Sequence, residues 1–486
     1  MYIGTQTRDR VAMDRKSGLG DGRLVVLSNR MAPTEPGQPP KGGLAVGLLG
    51  ALKASGGLWI GWSGETAEES GQVAPVTVDR VTYQPINLTK AQIAGYYNGF
   101  ANQTLWPALH SRADLINCEP SFFEQYLEVN QLFARELAAM IEPDDVIWVH
   151  DYHLFLVGRE LRKLGVRNPI GYFLHTPFPT YDTLRAVPEH DALLEAMFAY
   201  DLAGFHTTEF VRNFQECCDR LLDISRERTT LRYEGAELTV GAFPIGIDAD
   251  HMAEYARREA QTMRYAHLLD SFMGAKICIG VDRLDYSKGI PERMRGFARF
   301  LDLNSAAWEK ATLLQIAPPS RDEVREYQEL RNEVVRLAGE INAKYTSPEW
   351  VSIRFVHKSF SRRRLAGYYR ASRVGLVTPL RDGMNLVAKE YVVCQNQNNP
   401  GVLVLSEFAG ACEELECGAL IVNPHDVDAL ASAIKDALVM PLEERQERHE
   451  RMLDAVRSNT ATDWSRKFLA ALAGSDFRAV RQMVTV

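Results

Sequence analysis

Arg381-Asp382-Gly383 is followed at once by Met384-Asn385-Leu386-Val387-Ala388-Lys389-Glu390-Tyr391-Val392. Met384, Val387, Ala388, Tyr391 and Val392 recur at the spacing of one helical face, so this segment reads as an amphipathic helix. Asp382-Gly383 is a turn just ahead of it. The spacing therefore predicts a helix beginning near Asp382, whose free N–H groups and positive dipole end form an anion site. Glu390 lies off the apolar stripe and need not be in the core. Spacing alone serves equally well for a plainer arrangement, with Asp382 as a helix cap and Glu390 as a solvated charge.

Two further segments carry the chemistry of phosphate binding. Asp282-Arg283-Leu284-Asp285-Tyr286-Ser287-Lys288-Gly289 offers Arg283, a planar fork of donors, and Lys288, a compact ammonium. Together they suit two phosphate groups, although two surface cations near two aspartates would read the same way. Lys41-Gly42-Gly43 precedes the apolar segment Leu44–Leu52, and glycines without a Cβ let backbone N–H groups approach a phosphate closely. A Gly-Gly pair alone is often only a turn.

Other chemistries lack their motifs. No GxGxxG follows a predicted strand, because Gly18-Leu19-Gly20-Asp21-Gly22 precedes the first one, and no GxxxxGK[ST] occurs. This argues against a dinucleotide oxidoreductase and a P-loop NTPase. His150-Asp151-Tyr152-His153 could suggest a metal, but reads better as hydrogen-bonded structure. Asp248-Ala249-Asp250 and Asp426-Val427-Asp428 resemble Mg²⁺-diphosphate carboxylate pairs, yet sit where acidic residues begin helices. A diphosphate site without metal, built from cations and helix N-termini, fits the sequence better.

These residues need elements to place them. Short β-rich runs recur at Leu24–Leu27, Val146–Val149, Ile170–Leu174 and Leu202–Phe205 in the first half. The second half repeats the pattern at Ile277–Val281, Leu313–Ala317, Val351–Val356, Val374–Thr378, Val402–Leu405 and Leu420–Val422. Helical stretches lie between them; Tyr126, Val129, Asn130, Phe133 and Leu137 trace the face of one. Alternation of this kind predicts parallel α/β sheets. Polar residues follow the runs: Ser28-Asn29-Arg30, His150-Asp151, His175, His206, and Asp282-Arg283. Ligands bind outside the carboxyl ends of such strands, so two sheets edge to edge would load a shared cleft with these side chains.

The chain has 486 residues, more than one core of roughly 250–300 residues accommodates, so two domains are expected. The boundary is placed at Phe243-Pro244-Ile245-Gly246-Ile247-Asp248. A net charge of −8 without a polybasic arm offers nucleic acid no electrostatic footprint. No run approaches the roughly 20 apolar residues of a spanning helix, and the first 16 residues lack the apolar core of a secretory signal. Seven cysteines without CxxC read as reduced thiols. A cytoplasmic protein with no membrane partner is the expectation.

Six segments taken in order carry a resemblance. They are Ser28-Asn29-Arg30, Gly42-Gly43-Leu44, His150-Asp151-Tyr152-His153-Leu154, Phe173-Leu174-His175-Thr176-Pro177-Phe178-Pro179, Arg283-Leu284-Asp285-Tyr286-Ser287-Lys288-Gly289, and Arg381-Asp382-Gly383-Met384-Asn385-Leu386-Val387. From about Leu24 to about residue 470 the chain closely resembles the bacterial trehalose-6-phosphate synthases, retaining glycosyltransferases of the GT-B fold. The resemblance implies an α/β protein of two Rossmann-like domains with parallel sheets facing across a catalytic cleft. By their polar composition residues 1–22 read as a flexible tail, while the resemblance makes 23–243 an acceptor-binding domain and 244–462 a nucleotide-sugar-binding domain, with a helix over 463–486 crossing back onto the first. It also implies glucose transfer from UDP-glucose to glucose 6-phosphate, giving α,α-trehalose 6-phosphate and UDP, in trehalose biosynthesis and osmoprotection. No cofactor or metal is implied. A homo-oligomer, dimer or tetramer, is expected, and a separate phosphatase must follow in the pathway, since no DxDxT motif occurs.

The resemblance also assigns roles. Arg283 and Lys288 match the pair on the donor diphosphate, Gly43 a mobile glycine loop over it, and the backbone of Leu386 and Val387 the helix-terminus contacts. Glu390 matches the carboxylate on the ribose hydroxyls, and Phe360 a residue beside the uracil. His175 and Asp382, with the backbone of Met384 and Asn385, match contacts to the donor glucose. For the acceptor, Tyr97, Trp106 and Arg321 match the group on the 6-phosphate, Arg30 an arginine near both phosphates, and Asp151 the residue orienting the sugar. Trp62, in Gly61-Trp62-Ser63-Gly64, is a looser match near the acceptor. Arg283, Lys288, Asp151 and His175 form the expected catalytic set.

The resemblance offers no carboxylate nucleophile opposite the leaving group, since it assigns Asp151 to the acceptor and His175 to the donor, so same-face attack is expected, with the leaving phosphate taking the acceptor's proton. The competing readings are a related transferase using glycerol 3-phosphate or a cyclitol phosphate, a non-catalytic sugar-phosphate-sensing subunit, and a two-domain phosphorylase. Arg362-Arg363-Arg364 is expected to be a solvated helix start.

Overall fold

The computed structural model describes residues 22–31, 48–53, 56–305, 308–321 and 324–474. They fall into two compact units: one holds the described residues up to Ile245 together with those from Ala461 on, and the other is Gly246–Thr460. The expected tail up to Asp21, the Lys41–Gly43 turn and the end of the chain beyond Gly474 lie outside the described residues.

In the first unit seven strands run parallel, in spatial order Val81–Thr89, Gly57–Ala67, Leu24–Arg30, Val146–His150, Ile170–Phe173, Leu202–Phe205 and Ala236–Ala242. Short antiparallel strands close both edges. The central strands are covered on both faces, which is why they read as unbroken apolar runs. Helix Pro120–Ala138 buries Tyr126, Val129, Asn130, Phe133 and Leu137, the face that its periodicity marks out. Strands Gly57–Ala67, Val81–Thr89 and Ala236–Ala242 escape a reading by apolar runs because glycines and polar residues interrupt them.

The last helix, Ala461–Gly474, belongs to this unit. Its Phe468 stacks on Trp148, with ring centroids 4.6 Å apart. A Cβ on Gly171 or Gly204 would come within 2.7 and 2.8 Å of the Phe468 ring, so two strands carry glycine where the helix presses on them.

The second unit is a six-stranded parallel sheet in the order Ile353–Val356, Ala311–Ile316, Lys276–Val281, Val374–Val377, Val402–Ser406 and Leu420–Val422. Its order reverses between Lys276–Val281 and Val374–Val377, and ligands bind at such switch points. The loops after these two strands carry Asp282–Gly289 and Thr378–Asn385. Where the chain enters this unit, Gly246 packs against the backbone of Asn459 too closely to admit a side chain, so the entering and leaving segments lie together.

Candidate functional site

After strand Lys276–Val281 the chain makes a 3₁₀ turn, Tyr286–Lys288, capped by Asp285, whose carboxylate accepts from the Ser287 N–H at 3.0 Å and the Ser287 hydroxyl at 2.9 Å. Gly289 follows at φ +62, and a Cβ there would collide with the Thr378 carbonyl. Ser287 accepts through its carbonyl from the Leu380 N–H at 2.8 Å, so the two switch-point loops are pinned backbone to backbone. Lys288 is thereby delivered to Asp382: Nζ lies 2.6 Å from Oδ2, with both side chains nearly buried. Arg283 is exposed at the mouth of the same loop.

Beneath the loops lies a residue that the sequence does not announce. Arg293, on helix Ile290–Leu303, is fully buried. Its guanidinium donates to Asp282 at 2.7 Å, to Thr378 at 3.0 Å, to Gln315 at 3.0 Å and to the Lys288 carbonyl at 3.3 Å. Burial pushes the Asp282 carboxyl up, and the neighbouring Arg293 and Lys288 charges oppose that shift.

The helix expected to meet a phosphate starts later than its apolar stripe suggests. It spans Leu386–Cys394, with Asn385 at φ +69 as its first cap, so Asp382 is not the cap. Asp382 instead accepts from Lys288 and, at 3.0 Å, from Asn385 Nδ2. Residues 382–385 leave the helical path because they are tied to the next loop. The Asp382 N–H donates to Phe408 at 3.1 Å and the Ala411 N–H to Met384 at 2.8 Å, and Gly410 leaves no room for a Cβ beside Gly383. The free N–H groups of the first turn are thus those of Leu386 and Val387.

Glu390 is not a solvated charge. Its carboxylate is about 14% exposed, accepts from Arg362 at 3.0 Å and from the Tyr369 hydroxyl at 3.4 Å, and is raised in pKa by burial, with Arg362 opposing. The triple arginine is likewise committed rather than simply solvated. Arg362 holds Glu390, Arg363 pairs with Glu259 at 3.1 Å, and Arg364 lies over the Phe360 ring at 5.1 Å. Lys358 lies over the same ring at 5.3 Å, giving Phe360 a cationic surround. Arg321, at φ +51, is buried against Asp285 at 3.5 Å and bonded to the Tyr327 hydroxyl.

The first unit gathers rings. Arg30 sits 5.3 Å over Trp62, which lies 5.5 Å from Tyr97; Tyr97 stacks on His153 at 5.9 Å and 11°. His153 packs on Tyr152 at 3.9 Å, and Tyr152 on Trp106 at 5.5 Å. Gly64 at φ +93 makes space for the Arg30 guanidinium. Tyr97 and Gly95 lie on a π-helical stretch, Ile93–Leu105, whose wide turn ends with the Trp106 N–H reaching back to Ala101.

At the end of strand Val146–His150, Asp151 adopts φ +77 and ψ 164, a conformation essentially reserved for glycine. That backbone turns its carboxylate to accept from the His175 N–H at 3.2 Å. His150 Nδ1 and His175 Nε2 are 3.1 Å apart, and burial holds both imidazoles well below their usual pKa, hence neutral.

The structure therefore joins Arg30, Trp62, Tyr97 and Trp106 in one aromatic chain, and Asp151 with His175. It joins Lys288, Asp382 and Asn385 with the start of the Leu386–Cys394 helix. Arg321, expected beside Tyr97 and Trp106, belongs to the other unit. Gly43 lies outside the described residues. His153 packs between Tyr97 and Tyr152 and His150 faces His175, and no cluster of three metal-binding side chains occurs among the described residues. Asp248 and Asp426 cap helices, accepting from His251 at 3.1 Å and Ala429 at 2.9 Å. Sequence gives Arg362 and His150 other roles and does not mark Arg293 at all; an arginine four residues after a turn glycine is a weak signal at best.

The chain as a whole is similar to known proteins. A trehalose-6-phosphate synthase of Cronobacter sakazakii is 46% identical over 452 residues, 93% of this chain and 95% of the relative. The crystal structure of an α,α-trehalose-phosphate synthase (UDP-forming) from Burkholderia vietnamiensis superposes with a TM-score of 0.92 at 45% identity, covering 96% of this chain and 99% of that one. Another, from Burkholderia xenovorans in complex with glucose-6-phosphate, gives 0.90 at 44% identity, over 93% and 100%. The expected GT-B class is the fold of these enzymes. The family model for glycosyltransferase family 20 matches residues 28–474, a span that takes in the switch-point loops, the ring cluster and the returning last helix, and the chain belongs to that family.

Proposed function

We propose that the protein transfers glucose from UDP-glucose to glucose 6-phosphate with retention, forming α,α-trehalose 6-phosphate and UDP. The observation that carries this reading is the switch point of the second unit. There a nearly buried ammonium, an exposed guanidinium five residues earlier, and the N–H groups of Leu386 and Val387 offer fixed positive charge to a departing diphosphate. Breaking the anomeric bond puts negative charge on that group, and donors already in place stabilise it without reorganising. Lys288 is held by Asp382 until the diphosphate shares it, so Asp382 is free to turn to a donor hydroxyl. Glu390, steadied by Arg362 and Tyr369, suits the ribose diol, and Phe360 the base.

In the first unit Arg30, Trp62, Tyr97 and Trp106 suit a phosphorylated sugar, with Asp151 orienting its hydroxyl and His175 reaching the donor glucose. Arg321 serves the acceptor phosphate only by exchanging Asp285 for it. With Asp151 assigned to the acceptor and His175 to the donor sugar, no carboxylate nucleophile is left among the assigned residues, so attack proceeds on the face of the leaving group, whose phosphate takes the acceptor's proton. These cations make a divalent ion unnecessary in this reading. The substrates are charged and do not cross membranes, which supports a cytoplasmic enzyme; a homo-oligomer, and a second protein that dephosphorylates the product, belong to the same reading.

The test is to supply UDP-, GDP- and ADP-glucose with glucose 6-phosphate, glycerol 3-phosphate and a cyclitol phosphate, with and without a chelator. Trehalose 6-phosphate and UDP are expected, with both anomeric centres α and the rate unchanged by chelation. Transfer only to another acceptor, or loss of transfer on chelation, overturns the reading.

A further inference from the structure

His150 is completely buried, and its two ring nitrogens stand in different situations. Nδ1 faces His175 Nε2 at 3.1 Å, while Nε2 is sealed from solvent with no hydrogen-bond partner. The rings around it are Trp148 at 4.6 Å, Trp464 at 6.2 Å, Phe173 at 6.5 Å and His175. The indole nitrogens of Trp148 and Trp464, themselves buried without partners, are donors only, so neither can accept a proton from His150.

Two neutral imidazoles facing nitrogen to nitrogen share one proton, and there are two ways to place it. If His175 Nε2 carries it, His150 must carry its own proton on Nε2, a buried N–H with nothing to receive it. If His150 Nδ1 carries it, the sealed Nε2 is a bare lone pair. Orphaned buried N–H groups are the rarer and costlier of the two. His150 therefore donates, His175 Nε2 accepts, and the remaining proton of His175 sits on Nδ1. That nitrogen makes no hydrogen bond to the described residues, and His175 is the half-buried member of the pair.

We infer that His150 is a positioning residue that locks His175 in the Nδ1–H tautomer, so that His175 presents a hydrogen-bond donor to an oxygen of the transferred sugar. The inference rests on the proposed contact between His175 and the donor glucose. A donor fixed in this way makes the sugar oxygen an acceptor and turns that hydroxyl's own proton away from His175. The Asp151 carboxylate, bonded to the backbone N–H of His175, fixes the same residue from its other end.

The test begins with the full chain labelled with ¹⁵N-histidine, its His175 signal assigned by loss in His175→Gln. Long-range nitrogen–proton correlation near neutral pH is expected to show the proton of both His175 and His150 on Nδ1. A proton on Nε2 of His175 overturns the inference, and because no substrate is needed, that result is independent of whether sugar is transferred. His150→Leu is expected to lower kcat about ten- to a hundredfold, with little change in acceptor KM, and to release His175 to its Nε2–H form. His150→Asn keeps an amide donor near the position of Nδ1, and is expected to restore most of the rate and the Nδ1–H signal. A His150→Leu variant with full turnover, or with His175 still in the Nδ1–H form, overturns the positioning role.

Discussion

In the second unit charge is held by charge. Lys288 is matched by Asp382, Arg293 by Asp282, Glu390 by Arg362 and Lys389 by Glu414, all at or below the loops that follow the switch-point strands. In the first unit the polar groups are held by rings and by backbone. Arg30 rests on Trp62, Tyr97 on His153, burial holds His150 and His175 neutral, and Asp151, at a strand end, is aimed by a strained backbone. The difference follows from what each unit is proposed to receive. A diphosphate that gains charge during the reaction calls for cations already desolvated and fixed, and these need carboxylates beside them until it arrives. A sugar whose charge does not change calls for shape and hydrogen bonds, which aromatic walls and neutral imidazoles supply.

Breaking the charged half should have the largest effect. Arg293→Met strands Asp282 as an unpaired buried carboxylate and should lower unfolding free energy by about 3–5 kcal/mol, read from denaturant midpoints of the full chain. An unchanged midpoint shows that the Asp282 network carries no weight. Lys288→Ala should lower kcat about a hundred- to a thousandfold while acceptor binding is nearly kept, as measured by initial rates at varied glucose 6-phosphate. Near-normal turnover refutes the leaving-group role.

The neutral half is sharpened by a matched pair. Asp151→Gly and Asp151→Ala both lose the carboxylate, but only glycine accepts φ +77 without strain, so the glycine variant should be more stable than the alanine variant by about 1–3 kcal/mol. Both should lose activity alike; equal stability means that no strain is stored there.

The smallest effect is a difference in sign with pH. His150 and His175 have lowered folded pKa values, so they contribute stability above the unfolded imidazole value of about 6.5 that is lost as pH falls below it. Glu390 and Asp282 have raised folded values, so their contribution is present at acid pH, below the unfolded carboxylate values, and is lost as pH rises through the folded ones. Relative to wild type, His175→Gln should therefore lose less stability between pH about 7 and 5.5, and Glu390→Gln should gain in relative stability as pH rises out of the acid range. Parallel curves for both variants erase the contrast.

Much of the site was legible because it follows strands in sequence. Arg283, Lys288, Asp151 and His175 each stand just beyond an apolar run, and a parallel sheet puts those positions at one end. Asp382 and Glu390 were found as residues but misread in their surroundings. Helical periodicity places Met384 on the stripe of Leu386–Cys394, and nothing local reveals that the loop at Phe408–Ala411 pulls residues 382–385 off the helical path. Arg362-Arg363-Arg364 looks solvated by composition because its partners, Glu390 and Glu259, are 28 and 104 residues away. Arg293 was invisible, since a fully buried arginine is rare and its acceptors come from three separate strand ends.

Periodicity and strand-end chemistry, both local properties of the chain, determined the two parallel sheets, the residues that could bind phosphate, and the exclusion of nucleotide-loop and spanning-helix classes. Pairing across distance did not belong to them. The 94 residues between Lys288 and Asp382, the glycine that lets their loops touch, and the approach of His150 to His175 were settled by the tertiary structure. A charge or an imidazole takes its state from whatever neighbours folding brings within a few ångströms, and no local spacing encodes those neighbours.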